Sequence, residues 1–303
     1  MKLITFENKE GKERIGLFLN DGVLDLSESS NGVIPNNMVS FIENHEEYLP
    51  MIDPSSHKQR YSKEEIIIKS PLPRPVSVRD FYAFEEHVKT ARAKRGLGVI
   101  PEWYEIPVFY FTNHLAIKGP DEAIERPVDC EWLDYELEIA CVIGKQGKDI
   151  SKDEAEDYIF GYCIMNDWSA RDFQRQEMKV GLGPAKGKDF ATSLGPYLVT
   201  KDELEVYKEG DRYQLEMTAK VNGRLLSKGN YEQIYYTFAE MIERASAGVT
   251  LYPGEVIGSG TVGTGCILEL GTDVHRWLEP DDEIELEITG LGALKNTVTE
   301  GGV

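Results

Sequence analysis

The segment Tyr135-Glu136-Leu137-Glu138-Ile139-Ala140-Cys141-Val142-Ile143 has the alternation of a β-strand and carries two acidic residues near its start. Side chains two residues apart on a strand point to the same face, so the Cα atoms of Glu136 and Glu138 lie roughly 7 Å apart on one face. Both carboxylates can therefore converge on one cation. The alternative is a strand face open to water, as Glu283-Ile284-Glu285-Leu286-Glu287-Ile288 predicts elsewhere in the chain. The spacing alone leaves both interpretations open.

A third acid follows another predicted strand. Phe160-Gly161-Tyr162-Cys163-Ile164-Met165-Asn166 is apolar, and Asp167 comes at its end, before Trp168-Ser169-Ala170-Arg171-Asp172. A carboxylate at the end of a buried strand, among aromatic, cationic and amide groups, is not a typical solvent-exposed acid. Three acids with only oxygen ligands select a hard cation, Mg²⁺, Mn²⁺ or Ca²⁺, rather than zinc.

The rest of the chain predicts an α+β protein with a rolled or barrel-like sheet. Asn222-Gly223 joins two strand-like segments, 213–221 and 224–226, and is a strong hairpin signal. Helices are few, and one is predicted from the apolar stripe over 234–245. Many irregularly spaced strands with few helices are typical of this class.

The first part of the chain predicts a small N-terminal α/β domain over residues 1–70, with the larger domain over 71–303. Asn20-Asp21-Gly22 lies between two strand-like segments and predicts a hairpin, and 37–49 predicts a short helix. The boundary is placed at Ser70-Pro71-Leu72-Pro73-Arg74-Pro75. Three prolines in so short a segment fit neither a helix nor a central strand.

The composition excludes several classes of protein. The chain has 303 residues, and 33 basic against 53 acidic residues give a net charge of −20. Such acidity argues against a nucleic-acid partner and against an anionic membrane surface. The apolar runs fall short of a membrane-spanning helix, and the start lacks the apolar core of a signal peptide, so a cytoplasmic protein is expected. The four cysteines are expected to be reduced and buried: Cys130, Cys141, Cys163 and Cys266.

A glycine-rich motif raises the possibility of a nicotinamide cofactor. Gly258-Ser259-Gly260-Thr261-Val262-Gly263 matches G-x-G-x-x-G, but a dinucleotide site needs a helix directly after the motif. The following segment, 264–270, predicts a strand instead. A glycine-rich turn between strands is the better interpretation.

Several blocks together carry a resemblance to a known family. They are Asp80-Phe81-Tyr82, His87, Glu136-x-Glu138, Asn166-Asp167-Trp168-Ser169-Ala170-Arg171-Asp172, Gly187-Lys188-Asp189-Phe190 and Gly260-Thr261-Val262-Gly263. In these blocks the chain resembles the fumarylacetoacetate hydrolase family. The resemblance implies a C-terminal domain built as a mixed β-roll or β-sandwich, a metal-dependent active site and a homodimer.

The resemblance also implies roles for individual residues. It assigns the metal to Glu136, Glu138, Asp167 and Asp80, the last matching a ligand of the longer family members. It makes His87 the general base, oriented by Glu269. The groups that stabilise developing negative charge are Lys188, Arg171 and Gln174, and the substrate-binding residues are Tyr82, Tyr110 and Thr261. Met178 stands where the longer enzymes have a substrate-binding tyrosine, which argues against fumarylacetoacetate itself as the substrate.

The function expected from these residues is metal-dependent hydrolysis of a C–C bond in a small anionic 1,3-dioxo acid, with Mg²⁺ the favoured ion and Mn²⁺ or Ca²⁺ as alternatives. In that reaction His87 deprotonates a water molecule. Within the family, decarboxylation, isomerisation or hydration of a 2-oxo acid through a metal-bound enolate would use the same residues. From other classes, a catalytically silent metal-binding protein and a nicotinamide-dependent enzyme are further alternatives.

Overall fold

The strands and helices belong to a computed structural model that describes residues 1–55, 60–94, 96–210 and 212–302. The strands in chain order are β1 Lys2–Asn8, β2 Glu13–Leu19, β3 Gly22–Asp25, β4 Arg60–Tyr61, β5 Ile66–Lys69, β6 Val78–Phe81, β7 Phe109–Phe111, β8 Ile117–Lys118, β9 Ile124–Arg126, β10 Leu133–Asp134, β11 Leu137–Ile143, β12 Gly147–Lys148, β13 Ile159–Asp167, β14 Ser169–Ala170, β15 Thr192–Thr200, β16 Lys208–Glu209, β17 Arg212–Tyr213, β18 Glu216–Val221, β19 Arg224–Asn230, β20 Thr250–Leu251, β21 Val256–Gly258, β22 Glu283–Ile288 and β23 Gly292–Glu300.

Short helices connect these strands. They are α1 Leu26–Ser29, α2 Met38–Glu43, α3 His45–Tyr48, α4 Glu85–Ala93, α5 Arg171–Val180, α6 Lys201–Leu204, α7 Phe238–Ser246 and α8 Ile267–Leu270. Single 3₁₀ turns lie at Leu49–Met51, Lys63–Glu65, Pro101–Tyr104, Ala155–Tyr158, Glu205–Tyr207 and Tyr231–Gln233. No helix within the described ranges is long and apolar enough to cross a membrane.

A large mixed sheet positions the polar residues of interest. Its strand order is β4-β3-β2-β1-β15-β13-β11-β21-β6-β7, with β5 paired to β1 and β8 paired to β15. A second sheet has the order β19-β18-β22-β23-β9. Most pairs are antiparallel, but β21 runs parallel to β6, β23 parallel to β9 and β8 parallel to β15. The predicted α+β class with a mixed sheet is confirmed.

Burial decides between the two interpretations of the acidic strand. All residues of β11 and β13 are buried, because the two strands lie inside the large sheet with core on both sides. Glu138 is 0% exposed and Glu136 is 5% exposed. The alternative interpretation, a strand face open to water, is therefore wrong for this segment. By contrast, β22 alternates between more and less buried residues, as its sequence predicts.

Both hairpin predictions are confirmed. The Asn20-Asp21-Gly22 turn connects β2 to β3, which pair antiparallel from Gly16 with Asp25 to Leu19 with Gly22. Asn222 and Gly223 connect β18 to β19 with φ angles of 51° and 75°. These positive φ angles are those of a type I′ turn, which explains the Asn-Gly pair.

The first seventy residues extend the large sheet. Strand β1 pairs antiparallel with β15 through Lys2 and Val199, and also pairs with β2 and β5. Side chains of α2, among them Phe41 and Ile42, share a buried cluster with Ala140 of β11. The division into domains at residue 70 remains a prediction.

Two local predictions are wrong. Segment 264–270 is a turn followed by α8 and not a strand, because Thr264 adopts a φ of 67° and the amides that begin α8 are bonded by a distant side chain. Segment 37–49 contains two helices, α2 and α3, because Asn44 between them has the non-helical angles φ −127° and ψ 29°. Helix α8 does not support a dinucleotide site. It is a single turn of four residues that begins after Cys266 and so does not directly follow the glycine-rich motif, which ends at Gly263.

Candidate active site and metal centre

Three acids meet across four neighbouring strands of the large sheet, in the order β13-β11-β21-β6. Asp80 lies on β6, Glu138 on β11 and Asp167 at the end of β13, and one oxygen of each lies within 4.8 Å of the others. We call these residues the carboxylate cluster. Strand β21 separates β6 from β11, and a Cβ on Gly258 would lie 2.6 Å from Asp80 Oδ1. Glycine at this position therefore lets the strand pass directly behind the cluster.

The electrostatics of the carboxylate cluster fit a hard cation. Burial, together with the charge of Asp167, raises the pKa of Asp80 well above its usual value. Burial and the neighbouring Asp80 likewise raise the pKa of Glu138. Glu138 Oε2 and Asp167 Oδ1 are buried and make no hydrogen bond within the described structure. A divalent cation would satisfy these oxygens and offset the repulsion between the carboxylates, so the donor set fits Mg²⁺ or Mn²⁺.

Glu136 lies outside this cluster, in contact with two cations. Arg171 Nη2 donates to Glu136 Oε1 at 2.7 Å, and Lys188 Nζ donates to Oε2 at 2.5 Å. Burial alone would raise the pKa of Glu136, but Arg171 and Lys188 outweigh it and hold that pKa well below its usual range. Of the four predicted metal ligands, the structure thus brings three together and places Glu136 beside them. Its role as a ligand remains a prediction.

Lys188 connects the two groups of acids. Its ammonium donates to Asp167 as well as to Glu136. Burial would lower the pKa of Lys188, but the two carboxylates raise it, so the side chain is a fixed positive charge. Tyr110 Oη, on β7, donates at 2.5 Å to Asp167 Oδ2, the oxygen that also accepts from Lys188.

A histidine–carboxylate pair borders the site. His87 Nδ1, on α4, lies 2.5 Å from Glu269 Oε1, on α8. Glu269 Oε2 accepts a hydrogen bond from Thr264 N at 3.0 Å. The carboxylate partner assigns the proton to Nδ1, so the Nε2 lone pair faces the site, where Glu136 Oε1 is 4.0 Å away. The pair has the arrangement of an oriented general base.

The remaining predicted residues lie around these groups. The Tyr82 ring packs edge-on against His87 with 5.3 Å between the centroids. Thr261 Oγ1 is 3.4 Å from Glu138 Oε1. Gln174 Oε1, one turn along α5, accepts a hydrogen bond from Arg171 Nη1 at 3.1 Å. Every predicted site residue is therefore in or directly beside one contiguous site.

A cavity lies next to two residues that contact Asp167 of the carboxylate cluster. Its volume is about 290 Å³, enough for a small dicarboxylic acid, and both Lys188 and Tyr110 line it. Thr112, from the segment after β7, and Pro184, from the loop after α5, also line it. Met178, further along α5, is 44% exposed.

Two contacts were not predicted from the sequence. Asp134 accepts from Arg171 Nε at 2.9 Å, and Cys266 Sγ lies 3.7 Å from Glu269 Oε1. Asp134 has a sequence signal, because it continues the alternation of Glu136 and Glu138 on the same side of the chain. Cys266 has none, since its neighbour Glu269 belongs to a helix that the local pattern does not predict.

Comparisons with known proteins show which family this chain resembles in sequence. Residues 77–299 match the family model described as fumarylacetoacetate (FAA) hydrolase C-terminal. The oxaloacetate tautomerase fahd2 of Xenopus laevis is 31% identical over 315 residues, covering 98% of this chain and 90% of that protein. The oxaloacetate tautomerase YisK of Bacillus subtilis is 31% identical and covers 78% of this chain and 75% of that protein. The fumarylacetoacetase of Arabidopsis thaliana is 33% identical and covers 63% of this chain and 57% of that protein.

Solved structures share the whole fold. The fumarylacetoacetate hydrolase of Exiguobacterium antarcticum superposes with a TM-score of 0.76 at 26% identity, over 99% of both chains. The 5-carboxymethyl-2-hydroxymuconate delta-isomerase of Mycobacterium smegmatis has a TM-score of 0.72 at 25% identity, over 99% of this chain and 100% of that one. The fold, together with a buried carboxylate cluster that could hold a metal ion, defines an enzyme of this structural class. This chain belongs to the fumarylacetoacetate hydrolase family.

Proposed function

We propose that this chain catalyses keto–enol tautomerisation of a small 2-oxo dicarboxylic acid such as oxaloacetate, with Mg²⁺ or Mn²⁺ as the cofactor. The observation that carries the proposal is the position of the His87–Glu269 pair beside a buried, oxygen-only carboxylate cluster. The names of the Xenopus and Bacillus relatives, both oxaloacetate tautomerases, support the choice of reaction. The sequence alone favoured hydrolysis, which becomes the second candidate.

The proton transfer uses His87. Its Nε2 lone pair accepts a proton from the carbon next to the substrate carbonyl, and the electron pair of that C–H bond forms the carbon–carbon double bond. Glu269 holds the ring in orientation and stabilises the positive charge that the imidazole gains. The proton on Nε2 is then available for the substrate oxygen, which completes the keto-to-enol exchange.

The negative charge that develops on the substrate oxygen is stabilised by fixed positive groups. A cation held by Asp80, Glu138 and Asp167 would polarise the carbonyl group when bound. Lys188, which lines the cavity and contacts Asp167, adds a positive charge next to the carboxylate cluster. Arg171 keeps Glu136 charged and oriented, and Gln174 is fixed by Arg171 in turn. The ammonium of Lys188 also suits an anionic substrate.

Hydrolysis of a C–C bond in an acylpyruvate-type acid is the second candidate. The same His87–Glu269 pair could deprotonate a water molecule, and the Arabidopsis relative is named fumarylacetoacetase. The two reactions differ in what His87 deprotonates, carbon in one and water in the other. Decarboxylation of oxaloacetate needs no base, because the cation alone can accept the electrons.

A substrate panel tests the proposal. Purified protein with Mg²⁺ or Mn²⁺ is supplied with oxaloacetate and two acylpyruvates, and proton NMR in D₂O follows each compound. Deuterium exchange next to the oxaloacetate carbonyl, faster than in buffer with the metal alone, supports tautomerisation. Release of pyruvate from the acylpyruvates with no accelerated exchange would instead establish hydrolysis, and carbon dioxide as the main product would establish decarboxylation.

Assembly and location are proposals of the same kind. We expect a homodimer, as the family resemblance implies, and light scattering of the purified protein measures it. A cytoplasmic location is expected from the composition, and cell fractionation tests it, since the named frog relative is mitochondrial.

A further inference from the structure

Asp134 is a buried carboxylate that bonds two separate parts of the catalytic machinery. It is 0% exposed. Its Oδ2 accepts from Arg171 Nε at 2.9 Å and from Leu268 N at 3.0 Å, and its Oδ1 accepts from Ile267 N at 2.7 Å. Three donors thus meet on one side chain that touches neither the cavity nor the carboxylate cluster.

The first part is the guanidinium of Arg171. With Nε bonded to Asp134, the two terminal nitrogens point to Glu136 and Gln174. A guanidinium has a planar, fixed set of donors, so holding Nε sets the direction of the other two. Asp134 therefore determines where Arg171 holds Glu136.

The second part is helix α8, which carries Glu269. This helix has only four residues, and the side chain of its N-cap residue, Cys266, makes no capping hydrogen bond to the helix amides. An isolated turn of helix is unstable because few hydrogen bonds offset the cost of ordering it. Asp134 satisfies the first two amides, of Ile267 and Leu268, as an N-cap side chain would, although it comes from a distant strand. Glu269 is the next residue.

We infer that Asp134 is a positioning residue that aligns the His87–Glu269 pair and the Arg171–Glu136 pair together. It acts through α8 on Glu269, and through Arg171 on Glu136. The inference rests on the proposed role of His87 as the base. A residue of this kind affects the rate of proton transfer more than the binding of substrate or metal.

The test compares two buried aspartates. Asp134→Asn keeps the size of the side chain but loses one acceptor for three donors. The control, Asp282→Asn, changes a buried carboxylate that also accepts from an arginine and a backbone amide, Arg276 and Glu279 N, neither of which bonds to a site residue in the contacts described. We expect kcat to fall by about 10- to 100-fold in Asp134→Asn, as for other supporting residues of active sites, with KM changed less than about twofold. Asp282→Asn should retain the wild-type kcat.

A second readout needs no substrate. The proton between His87 Nδ1 and Glu269 should give a far-downfield proton NMR signal, identified by its loss in His87→Gln. Asp134→Asn should shift or remove this signal, and Asp282→Asn should leave it in place. If Asp134→Asn does not fold, Asp134→Ser, whose hydroxyl still accepts one amide hydrogen, is measured in its place with the same expectations.

Double variants show whether Asp134 acts through Glu269. When Asp134→Asn and Glu269→Gln are combined, their effects on kcat should be far less than multiplicative. Glu269→Gln already removes the carboxylate that Asp134→Asn misaligns. Unchanged kcat and an unchanged NMR signal in the folded Asp134 variant, or fully multiplicative effects, would overturn the inference. If wild type turns over no 2-oxo acid, the proposed function fails, while the NMR comparison still decides the role of Asp134.

Discussion

The imidazole of His87 is hydrogen-bonded to the carboxylate of Glu269 at 2.5 Å, across 182 residues of sequence. Replacing the carboxylate by an amide in Glu269→Gln should keep the packing but weaken the support for a positively charged imidazole. We expect kcat to fall roughly 10- to 100-fold with unchanged metal binding. Steady-state kinetics measure the change, and the exposed Glu287→Gln serves as the control. A variant as fast as wild type would show that the pair has only a structural role.

Metal binding should depend on Glu138. The variant Glu138→Gln removes one of the three charges of the carboxylate cluster, so Mg²⁺ and Mn²⁺ affinity should fall at least about tenfold and activity should be lost with it. Titration calorimetry measures the affinity, and an unchanged circular dichroism spectrum shows that the variant is folded. Glu285→Gln, on the partly exposed side of β22, should bind as wild type. Wild-type affinity in Glu138→Gln, or full activity after exhaustive chelation, would contradict the assignment.

Lys188 should affect metal binding and activity in opposite directions. Its ammonium contacts Asp167 and Glu136, so it repels a cation in the adjacent cluster. Unit charges 4 Å apart interact by ~4 kcal/mol at an effective dielectric constant of about 20, so Lys188→Met should bind metal about tenfold more tightly or better. Turnover should nevertheless fall, because the substrate oxygen loses a stabilising charge. Weaker metal binding in this variant would show that Lys188 organises the ligands instead.

Asp282 should make the stability of the fold depend on pH. Burial would raise its pKa, but the hydrogen bonds from Arg276 and from Glu279 N lower it below the usual value. A carboxylate whose pKa is lower in the folded than in the unfolded protein stabilises the fold at pH values above its unfolded pKa, which is about 3.9 for aspartate. This contribution is lost as the pH falls through the pKa of the folded state. Asp282→Asn should therefore be less stable than wild type at pH 7, with the difference shrinking below about pH 4. Urea unfolding at several pH values measures it, and a difference independent of pH would be the contrary result.

Much of the fold could be predicted because its signals are local. The alternation in β11, the apolar run of β13 and the Asn222-Gly223 turn each depend on neighbours in the sequence. Helix α8 could not be predicted this way, because Asp134 supplies its capping hydrogen bonds from another part of the chain. Similarly, nothing local to 37–49 shows that Asn44 divides the helix.

The site was predicted mainly through residue types and their resemblance to a family. Strand geometry predicted that Glu136 and Glu138 converge, and Asp167 was added as an acid at the end of a buried strand. The pairing of β11 with β13 brings Glu138 and Asp167 together. The separation of Glu136 from them depends on contacts with Arg171 and Lys188, which lie 35 and 52 residues away in the sequence. Spacing along one strand cannot show which of two neighbouring acids a distant cation will pair with.

The most direct test of the proposed function is the conversion of enol-oxaloacetate to its keto form, followed by the decay of the enol absorbance with Mg²⁺ present. Wild type should accelerate the conversion well beyond buffer containing Mg²⁺ alone. His87→Gln, with unchanged metal affinity, should lower that enzymatic rate by about 10²–10⁴, the usual effect of removing a general base. A wild-type rate equal to that of the Mg²⁺ buffer, or a His87→Gln rate equal to that of wild type, would contradict the account.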